Sequence, residues 1–342
     1  MRINNRLPVT LIGEEIAGAW NETALADIAQ TFGGSYLDYD GAAPDSLEAE
    51  GSPVLDRFDC LIAAENAPGA QSIYSYRPAG AGVQALIVGN EAKGLRRGTR
   101  KRAHFTVQIP LPSRNINCLN VAAAASVMLY YFAIEQQLPY KQRSLASIQR
   151  SRPDVLLVGG CDHMELGSAL RSVCAFGWEK VFLDDRGDAW YDCCRRIKSE
   201  GRGTARRGRN PIKVLPYRAE SLREYHKTIV FTTQSGGKAP HQLPLTGNDV
   251  LIVLQDEKAG HAPWLPPDGH CSEITYAALP QAPSDRYHFR QMSSIALAEV
   301  ARQLGEPTSE GIYLHGKRDR YRREMKPGET APALDLDDLS IF

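Results

Sequence analysis

The sequence of 342 residues predicts an α/β protein made of two tandem domains, each built on a parallel sheet. Three observations support this prediction. Residues 85–88 (ALIV) form an apolar run bounded by a glycine, which is typical of a buried parallel strand. Short apolar runs at 9–12 and 155–158 open the two halves of the chain. The length also leaves room for two cores, in domains of about 150 residues each.

The most informative stretch follows the strand at 85–88. Gly89 and Gly94 permit tight turns and let a ligand approach the backbone closely. Ile109 and Leu119 offer apolar flanks and main-chain groups that suit a flat adenine ring. Asn120 precedes a run of small residues, where it suits a helix N-cap or a polar group of a site. Any one motif alone favours a strand, a turn and a buried helix without a ligand, whereas the three motifs in series favour a ligand site.

Taken in order, these motifs resemble the second and third motifs of the SpoU (TrmH-like) branch of the SPOUT RNA methyltransferases. In that family a strand ends in Gly-x-Glu-x-x-Gly, followed further along by Ile-Pro and a Ser-Leu-Asn-Val-type helix start. The matching residues here are Gly89, Asn90, Glu91, Gly94, Ile109, Pro110, Leu119, Asn120 and Val121. The resemblance implies S-adenosylmethionine as the cofactor, held in loops threaded as a trefoil knot. Such knots are exceptions to the rule that chains do not thread loops.

The family's first motif, Asn-x-Gly-x-x-x-Arg with a helix ending in Phe-Gly, is missing from its place before the turn. It is found instead as ELGSALRSVCAFG at 165–177. There Gly167 and Arg171 match the family, whereas Glu165 stands where the family has asparagine.

The two halves of the chain align as an imperfect repeat. NETALADIAQTFG in the first half aligns without a gap to the motif of the second, which places Asn21 on Glu165 and Asp27 on Arg171. Further along, VLIVLQDE at 250–257 matches the strand and turn of the first half. The two helix starts that follow then place Arg290 at the position of Asn120.

The losses in the two halves are complementary. The first keeps the cofactor motifs but has Asp27 at the arginine position, whereas the second keeps Arg171 and has Leu254 or Gln255 where the first has Gly89. The resemblance implies a homodimeric ancestor, because SpoU enzymes form their active site at the subunit interface with the arginine beside the cofactor. A fused pair needs one competent site. The pattern therefore predicts an intramolecular pseudo-dimer.

The resemblance also assigns the candidate site. The catalytic candidates are Arg171, Glu91, Asn120 and Glu165, and the cofactor-binding candidates are Val88, Gly89, Asn90, Gly94, Ile109, Leu111 and Leu119. Because arginine is nearly always protonated, Arg171 suits the anchoring of a phosphate and the stabilisation of developing alkoxide charge better than the role of a base. Glu91 and Asn120 would orient the site. Glu165 would either repel RNA phosphate or accept the hydroxyl proton.

Net charge says nothing about RNA, since Lys plus Arg and Asp plus Glu number 40 each. Basic residues are nevertheless clustered. The candidate RNA contacts are Arg195, Arg196, Arg202, Arg206, Arg207 and Arg209 in a Gly-rich insertion, and Arg96 and Arg97 after the turn. A solvated loop and a solvated helix face are equal alternatives for the two clusters.

The expected organisation is a first SPOUT-like repeat at 1–136, a linker at 137–153, a second repeat at 154–305 with a basic insertion at 195–213, and a tail at 306–342. No N-terminal apolar segment and no long apolar run occur, so a cytoplasmic protein without membrane insertion is expected. The seven cysteines include no Cys-x-x-Cys and are expected to be reduced. Cys161 with His163, and His270 with Cys271, lack partners for a zinc site, so no metal is expected.

The function that the resemblance implies is methyl transfer from S-adenosylmethionine to a ribose 2′-hydroxyl of tRNA or rRNA. The enzyme would act as a monomeric pseudo-dimer with RNA as its partner. Two alternatives stay open. One is a non-catalytic RNA-binding or scaffold protein built on degenerate SPOUT repeats, and the other is a SPOUT enzyme that modifies a base or a different substrate.

Overall fold

The computed structural model describes most of the chain between residues 9 and 307. The described ranges are 9–39, 54–67, 69–77, 82–113, 116, 118–134, 138–159, 162–184, 195–202, 210–232, 237–256, 264–266, 273–279 and 287–307. Within the helix at 195–202, the side chains of Arg196 and Arg202 lie outside the description.

The first half folds around a six-stranded sheet in which every strand pair is parallel. Its strands are β1 (Val9–Glu14), β2 (Ser35–Tyr39), β3 (Cys60–Ala64), β4 (Gln71–Ser72), β5 (Gln84–Val88) and β6 (Phe105–Gln108). Their spatial order is β2-β1-β5-β3-β6-β4. All five residues of β5 are buried, which confirms the buried strand predicted at 85–88.

The second half contains another six-stranded parallel sheet. After the short β7 (Gln142–Arg143), its strands are β8 (Asp154–Val158), β9 (Lys180–Asp184), β10 (Lys213–Pro216), β11 (Lys227–Thr232), β12 (Val250–Gln255) and β13 (Glu273–Ala278). Their order is β10-β9-β8-β12-β11-β13. The last strand, β14 (Glu306–Pro307), pairs in parallel with β7.

Seven α-helices are present in the described residues. They are α1 (Ala19–Thr31), α2 (Arg97–Arg102), α3 (Val121–Ala133), α4 (Leu145–Arg150), α5 (His163–Ala175), α6 (Arg195–Arg202) and α7 (Phe289–Leu304). Short 3₁₀ turns occur at Leu55–Arg57, Ala219–Glu224 and Pro240–Gln242. Helix α4 lies inside the predicted linker at 137–153. Among the described helices, none combines the length and the apolar character that a membrane-spanning segment needs.

The two sheets share one strand order. Strands β2, β1, β5, β3 and β6 of the first sheet follow the same sequence in space as β9, β8, β12, β11 and β13 of the second. The remaining strands, β4 and β10, extend opposite edges. Helices α1 and α5 each follow the first of these strands along the chain and span the segments that align in the sequence. The architecture is therefore α/β with two similar parallel sheets, as predicted.

Helices α3 and α7, which follow the sheet of each half, pack against each other between the halves. Polar contacts join the two halves within this apolar layer. The Tyr131 hydroxyl donates to Glu299 at 2.7 Å, and the Ser126 hydroxyl donates to the Gln291 carbonyl at 3.4 Å. Helix α5 also packs on α7, and α1 on α3. The N-terminal ends of α1 and α3 carry Asn21 and Asn120, which belong to the candidate site.

Candidate functional site

Strand β5 ends in a tight turn that begins at Gly89. The Asn90 side-chain oxygen accepts hydrogen bonds from the backbone N–H groups of Ala92 and Lys93, at 2.9 and 3.0 Å, and the Asn90 carbonyl accepts one from Gly94 at 2.8 Å. Gly94 has a φ of 73°, which favours glycine. A Cβ at Gly89 would lie 2.4 Å from the Gly94 carbonyl carbon. A side chain would therefore strain the backbone at Gly94 and clash with the opposite side of the turn at Gly89.

The apolar residues predicted to contact a cofactor lie in one core cluster. Val88, Ile109, Leu111 and Leu119 are all buried and belong to the same continuous set of packed side chains. They come from the end of β5 and from the loop between β6 and α3. The same cluster extends through both halves, from Val9 to Leu304.

A chain of hydrogen bonds links the turn to the start of α3. The Glu91 carboxylate accepts one bond from the Asn21 side chain and another, of 2.9 Å, from the backbone N–H of Ala17. Asn21 in turn accepts a 3.1 Å bond from the Asn120 amide. The Asn120 oxygen accepts from the Ala122 N–H at 3.0 Å, which confirms the predicted N-cap. Glu91 and Asn120, predicted as site residues, are therefore connected through Asn21.

Asn21 was not among the predicted site residues. Its buried amide uses both ends, since it donates to Glu91 and accepts from Asn120. A signal was present in the sequence, because Asn21 occupies the first position of the segment aligned with the family's Asn-x-Gly motif. Asn21 was not chosen because the same segment has Asp27 where the family motif has arginine.

Arg171 reaches the first half from helix α5 of the second. Its guanidinium donates to the Cys118 carbonyl at 3.1 Å, to the Leu119 carbonyl at 3.0 Å and to the Cys118 sulfur at 2.8 Å. These are the two residues directly before Asn120. Arg171 is only 9% exposed, so its charge is held at the junction of the two halves.

A glutamate on α6 lies on the other side of this guanidinium. Glu200 Oε1 is 3.9 Å from an Arg171 terminal nitrogen. Burial raises the pKa of the Glu200 carboxyl, while the Arg171 charge and the neighbouring Asn120 side chain act in the opposite direction. Glu200 was not predicted as a site residue, because in the sequence it is one acidic residue within a basic segment.

The segment from 55 to 130 contains the turn, the apolar residues and the helix start, and it matches the model of the SpoU rRNA Methylase family. This segment is therefore similar to the SpoU methylases. The matched residues, called the SpoU segment below, lie entirely in the first half. No curated protein sequence matches the chain significantly.

Several solved structures of SpoU-type enzymes are similar to the chain. The A. aeolicus TrmH/SpoU tRNA modifying enzyme is 14% identical, with 53% of this chain and 94% of that chain covered and a TM-score of 0.35. TrmJ from Z. mobilis ZM4 is 20% identical, with 46% and 72% covered and a TM-score of 0.34.

A third similar structure is the SpoU methyltransferase AviRb from Streptomyces viridochromogenes in complex with AdoMet. It is 18% identical, with 39% of this chain covered and a TM-score of 0.28. The match covers 61% of the AviRb chain, which is less than two thirds of its length. With all three TM-scores below 0.5, neither the fold nor the activity of this chain follows from these similarities.

Glu165, predicted beside Arg171 as a catalytic residue, binds other partners. Its carboxylate forms an ion pair with the Arg290 guanidinium and accepts a 2.9 Å bond from the Arg290 backbone N–H. His288 lies 3.3 Å from Glu165 and 2.9 Å from Asp27. Arg290 is fully buried and stacks on Trp20, with its guanidinium carbon 3.5 Å from the ring centre. The structure therefore places Glu165 at the second half's equivalent of the SpoU helix start, away from the groups that Arg171 binds.

The predicted RNA-contacting residues divide into three groups. Arg97 and Arg195 are exposed. Arg96 binds two glutamates at the end of β1. Its backbone N–H donates to Glu14 at 2.8 Å, and its side chain forms an ion pair with Glu15. Arg206, Arg207 and Arg209 and the side chains of Arg196 and Arg202 lie outside the described residues. So do Cys161 and Cys271, which were considered only as half-sites for zinc.

Proposed function

We propose that the chain is an S-adenosylmethionine-dependent RNA methyltransferase that methylates a ribose 2′-hydroxyl of tRNA or rRNA. Its single site is composite, with the SpoU segment binding the cofactor and the second half providing Arg171. One observation carries the proposal. The Arg171 guanidinium donates to the Cys118 and Leu119 carbonyls, beside the helix start that carries Asn120. The arginine missing from the first half is thus replaced by one from the second.

The residues present fit the cofactor. Val88, Ile109, Leu111 and Leu119 are apolar, as contacts of an adenine ring would be, and Val88 directly precedes the turn whose glycines let a ligand approach the backbone. Buried polar groups are usually hydrogen-bonded. A buried carboxylate oxygen, Glu200 Oε1, has no hydrogen-bond partner among the described residues, which fits a site that a polar ligand completes.

S-adenosylmethionine supplies an already activated methyl group when bound, so the task of the protein is alignment and charge control. The positively charged Arg171 guanidinium anchors the phosphate next to the reacting ribose. The same charge stabilises negative charge as it develops on the 2′-oxygen. The hydrogen bonds from Glu91 through Asn21 to Asn120 fix the position of the turn relative to the start of α3.

The two halves would act as an intramolecular pseudo-dimer, with the turn and the β6–α3 loop of the SpoU segment threaded as a trefoil knot. Two observations support the pseudo-dimer. The sheets share one strand order. The arginine position of each half also contacts the residue two places before the aligned helix start of the other, Arg171 with Cys118 and Asp27 with His288. The domain boundaries 1–136 and 154–305 belong to the same proposal.

Calorimetry and a methyl-transfer assay test the proposal together. We expect one equivalent of S-adenosylmethionine per chain, and labelled methyl recovered as 2′-O-methylnucleosides after digestion of total RNA. Light scattering should give a mass near the chain mass of 37.7 kDa. Two equivalents of cofactor would contradict the single site. RNA binding without methyl transfer would favour the scaffold alternative, and label in base-methylated nucleosides would move the reaction to the base.

A further inference from the structure

Glu200 comes from the basic insertion of the second half, yet it lies inside the composite site. Helix α6 packs on α5 closely enough that a Cβ at Gly167 would lie 2.7 Å from the Glu200 Cβ and 2.8 Å from the Ile197 carbonyl oxygen. Asn210 holds the end of α6 to α5, since its amide donates to the Gly201 carbonyl at 2.9 Å and to the Leu170 carbonyl at 3.2 Å. The position of the Glu200 backbone is therefore set by helix packing.

The surroundings of the Glu200 carboxylate combine burial with a nearby positive charge. Its side chain is 17% exposed, and Oε1 is buried without a hydrogen-bond partner in the described part of the chain. The Arg171 guanidinium is 3.9 Å away, near enough for attraction and too far for a hydrogen bond. Burial is the main cause that raises the pKa of this carboxyl, and the Glu91 charge adds to it.

The other groups of the site are poorly suited to accept a proton. The Arg171 guanidinium has five N–H donors and no acceptor. Glu91 already accepts hydrogen bonds on both oxygens, from Asn21 on one and from the Ala17 N–H on the other. Asn120 does not titrate in this range. Among the described residues around Arg171, Glu200 Oε1 is the carboxylate oxygen that is left without a donor.

We propose that Glu200 is the general base of the composite site and accepts the proton of the RNA hydroxyl that is methylated. This inference rests on the proposed function. The O–H bond breaks and its proton passes to Glu200 Oε1, while the oxygen lone pair forms the new O–CH₃ bond. The S–CH₃ bond breaks with its electron pair remaining on sulfur, which leaves a neutral thioether, and the protonated Glu200 later releases the proton to solvent. Arg171, at 3.9 Å, offsets the negative charge before the transfer.

The test is Glu200→Gln, with Glu179→Gln as a control that removes an exposed carboxylate of the same half. Single-turnover methyl transfer is followed from about pH 5 to about pH 8, with cofactor and RNA affinities measured alongside. The wild-type rate should rise with pH as Glu200 loses its proton and then level off. Glu200→Gln should lower the plateau about 100-fold or more and remove the rise, with both affinities kept within about threefold.

A second readout needs no activity. Because the pKa of Glu200 is raised in the folded protein, its contribution to stability is full below the ordinary value of 4.5 and is lost as pH rises through the folded pKa. The urea midpoint of the wild type should therefore fall with pH relative to that of Glu200→Gln. A constant difference between the two midpoints would show an ordinary solvated carboxylate and would overturn the inference.

The remaining outcomes separate the two proposals. An active wild type with a full-rate Glu200→Gln, or with a variant whose loss of rate is the same at every pH, overturns the role of Glu200 alone. Absence of methyl transfer by the wild type overturns the proposed function. If Glu200→Gln does not fold, Glu200→Asp replaces it. The shorter carboxylate should transfer methyl more slowly while keeping the rise with pH, and a full-rate Glu200→Asp with no rise would again count against the base.

Discussion

The two halves of the molecule differ most at one equivalent pair of positions. In the first half, Asn21 and Asn120 share a neutral hydrogen bond of 3.1 Å, and Asn21 passes the contact on to Glu91. In the second half the same positions hold Glu165 and Arg290, which form a buried ion pair. The first pair links the turn to the start of α3 through neutral hydrogen bonds, whereas the second pair places two opposite charges at the equivalent positions. On the proposed function, the first half keeps the site and the ion pair closes the equivalent place in the second half.

The contact between the halves is asymmetric in the same way. Arg171 donates to two backbone carbonyls of the first half, while its counterpart Asp27 meets His288. The first arrangement holds a positive charge beside the SpoU helix start. The second holds a carboxylate against an imidazole, which offers nothing to a phosphate. Substitutions at these positions test whether the two halves differ in function as they differ in structure.

The largest effect is expected at Gly89. In Gly89→Ala the new Cβ would lie 2.4 Å from two backbone atoms, the Gly94 carbonyl carbon and the Leu95 nitrogen, so the turn must shift. We expect cofactor affinity to fall at least about 100-fold by calorimetry, since displacements of this size misplace a binding geometry. The control is Gly98→Ala, where a Cβ meets nothing within 4 Å. Normal cofactor binding by Gly89→Ala would move the site away from the turn.

Arg171→Ala should lower methyl transfer about 100- to 1000-fold, the usual loss when one preorganised donor is removed from a transition state. Cofactor affinity should change much less, because the arginine contacts the protein and serves the RNA. Asp27→Ala, at the equivalent position of the other half, is the matched control and should retain its rate. Equal losses in the two variants would show that both positions serve only the packing of the halves.

Arg290→Ala tests the closed half through stability. The change leaves the Glu165 carboxylate buried without its ion pair, and such changes cost about 3–5 kcal/mol of unfolding free energy. Urea denaturation measures this cost. The double variant Glu165→Gln with Arg290→Met should recover much of it, since a neutral amide still accepts the backbone N–H of residue 290. Loss of cofactor binding in the folded double variant would contradict a purely structural role for the pair.

The smallest effect is expected at Arg195, an exposed residue of α6. Arg195→Ala should weaken RNA binding a few-fold and reduce the slope of log affinity against log salt by about 1, as the loss of one phosphate contact does. Arg150→Ala, an exposed arginine of α4, is the control. An unchanged salt slope would remove Arg195 from the RNA surface.

Local features were predictable from the sequence, and the family resemblance also led us to expect Arg171 beside the first half, where it contacts Cys118 and Leu119. Other long-range contacts were not predicted. The strand before Gly89 and the N-cap at Asn120 follow from apolar runs and small residues that lie side by side in the chain. The place of Glu200 depends on the packing of α6 against α5, which no spacing in a basic segment reveals. Glu165 is intermediate. Glu165 and Arg290 align with Asn21 and Asn120, which form a hydrogen bond in the first half. Because the two replacements have opposite charges, their ion pair could have been inferred.

Helix α3 has a consequence for how the molecule folds. Every residue of α3 except Ala124 is buried, and part of that burial is provided by α7 from the far end of the chain. A helix that is apolar on all sides has no face to offer to water. A first half made alone would expose this surface and tend to aggregate. Unfolding should then be a single cooperative transition, in which the stability of each half includes the presence of the other.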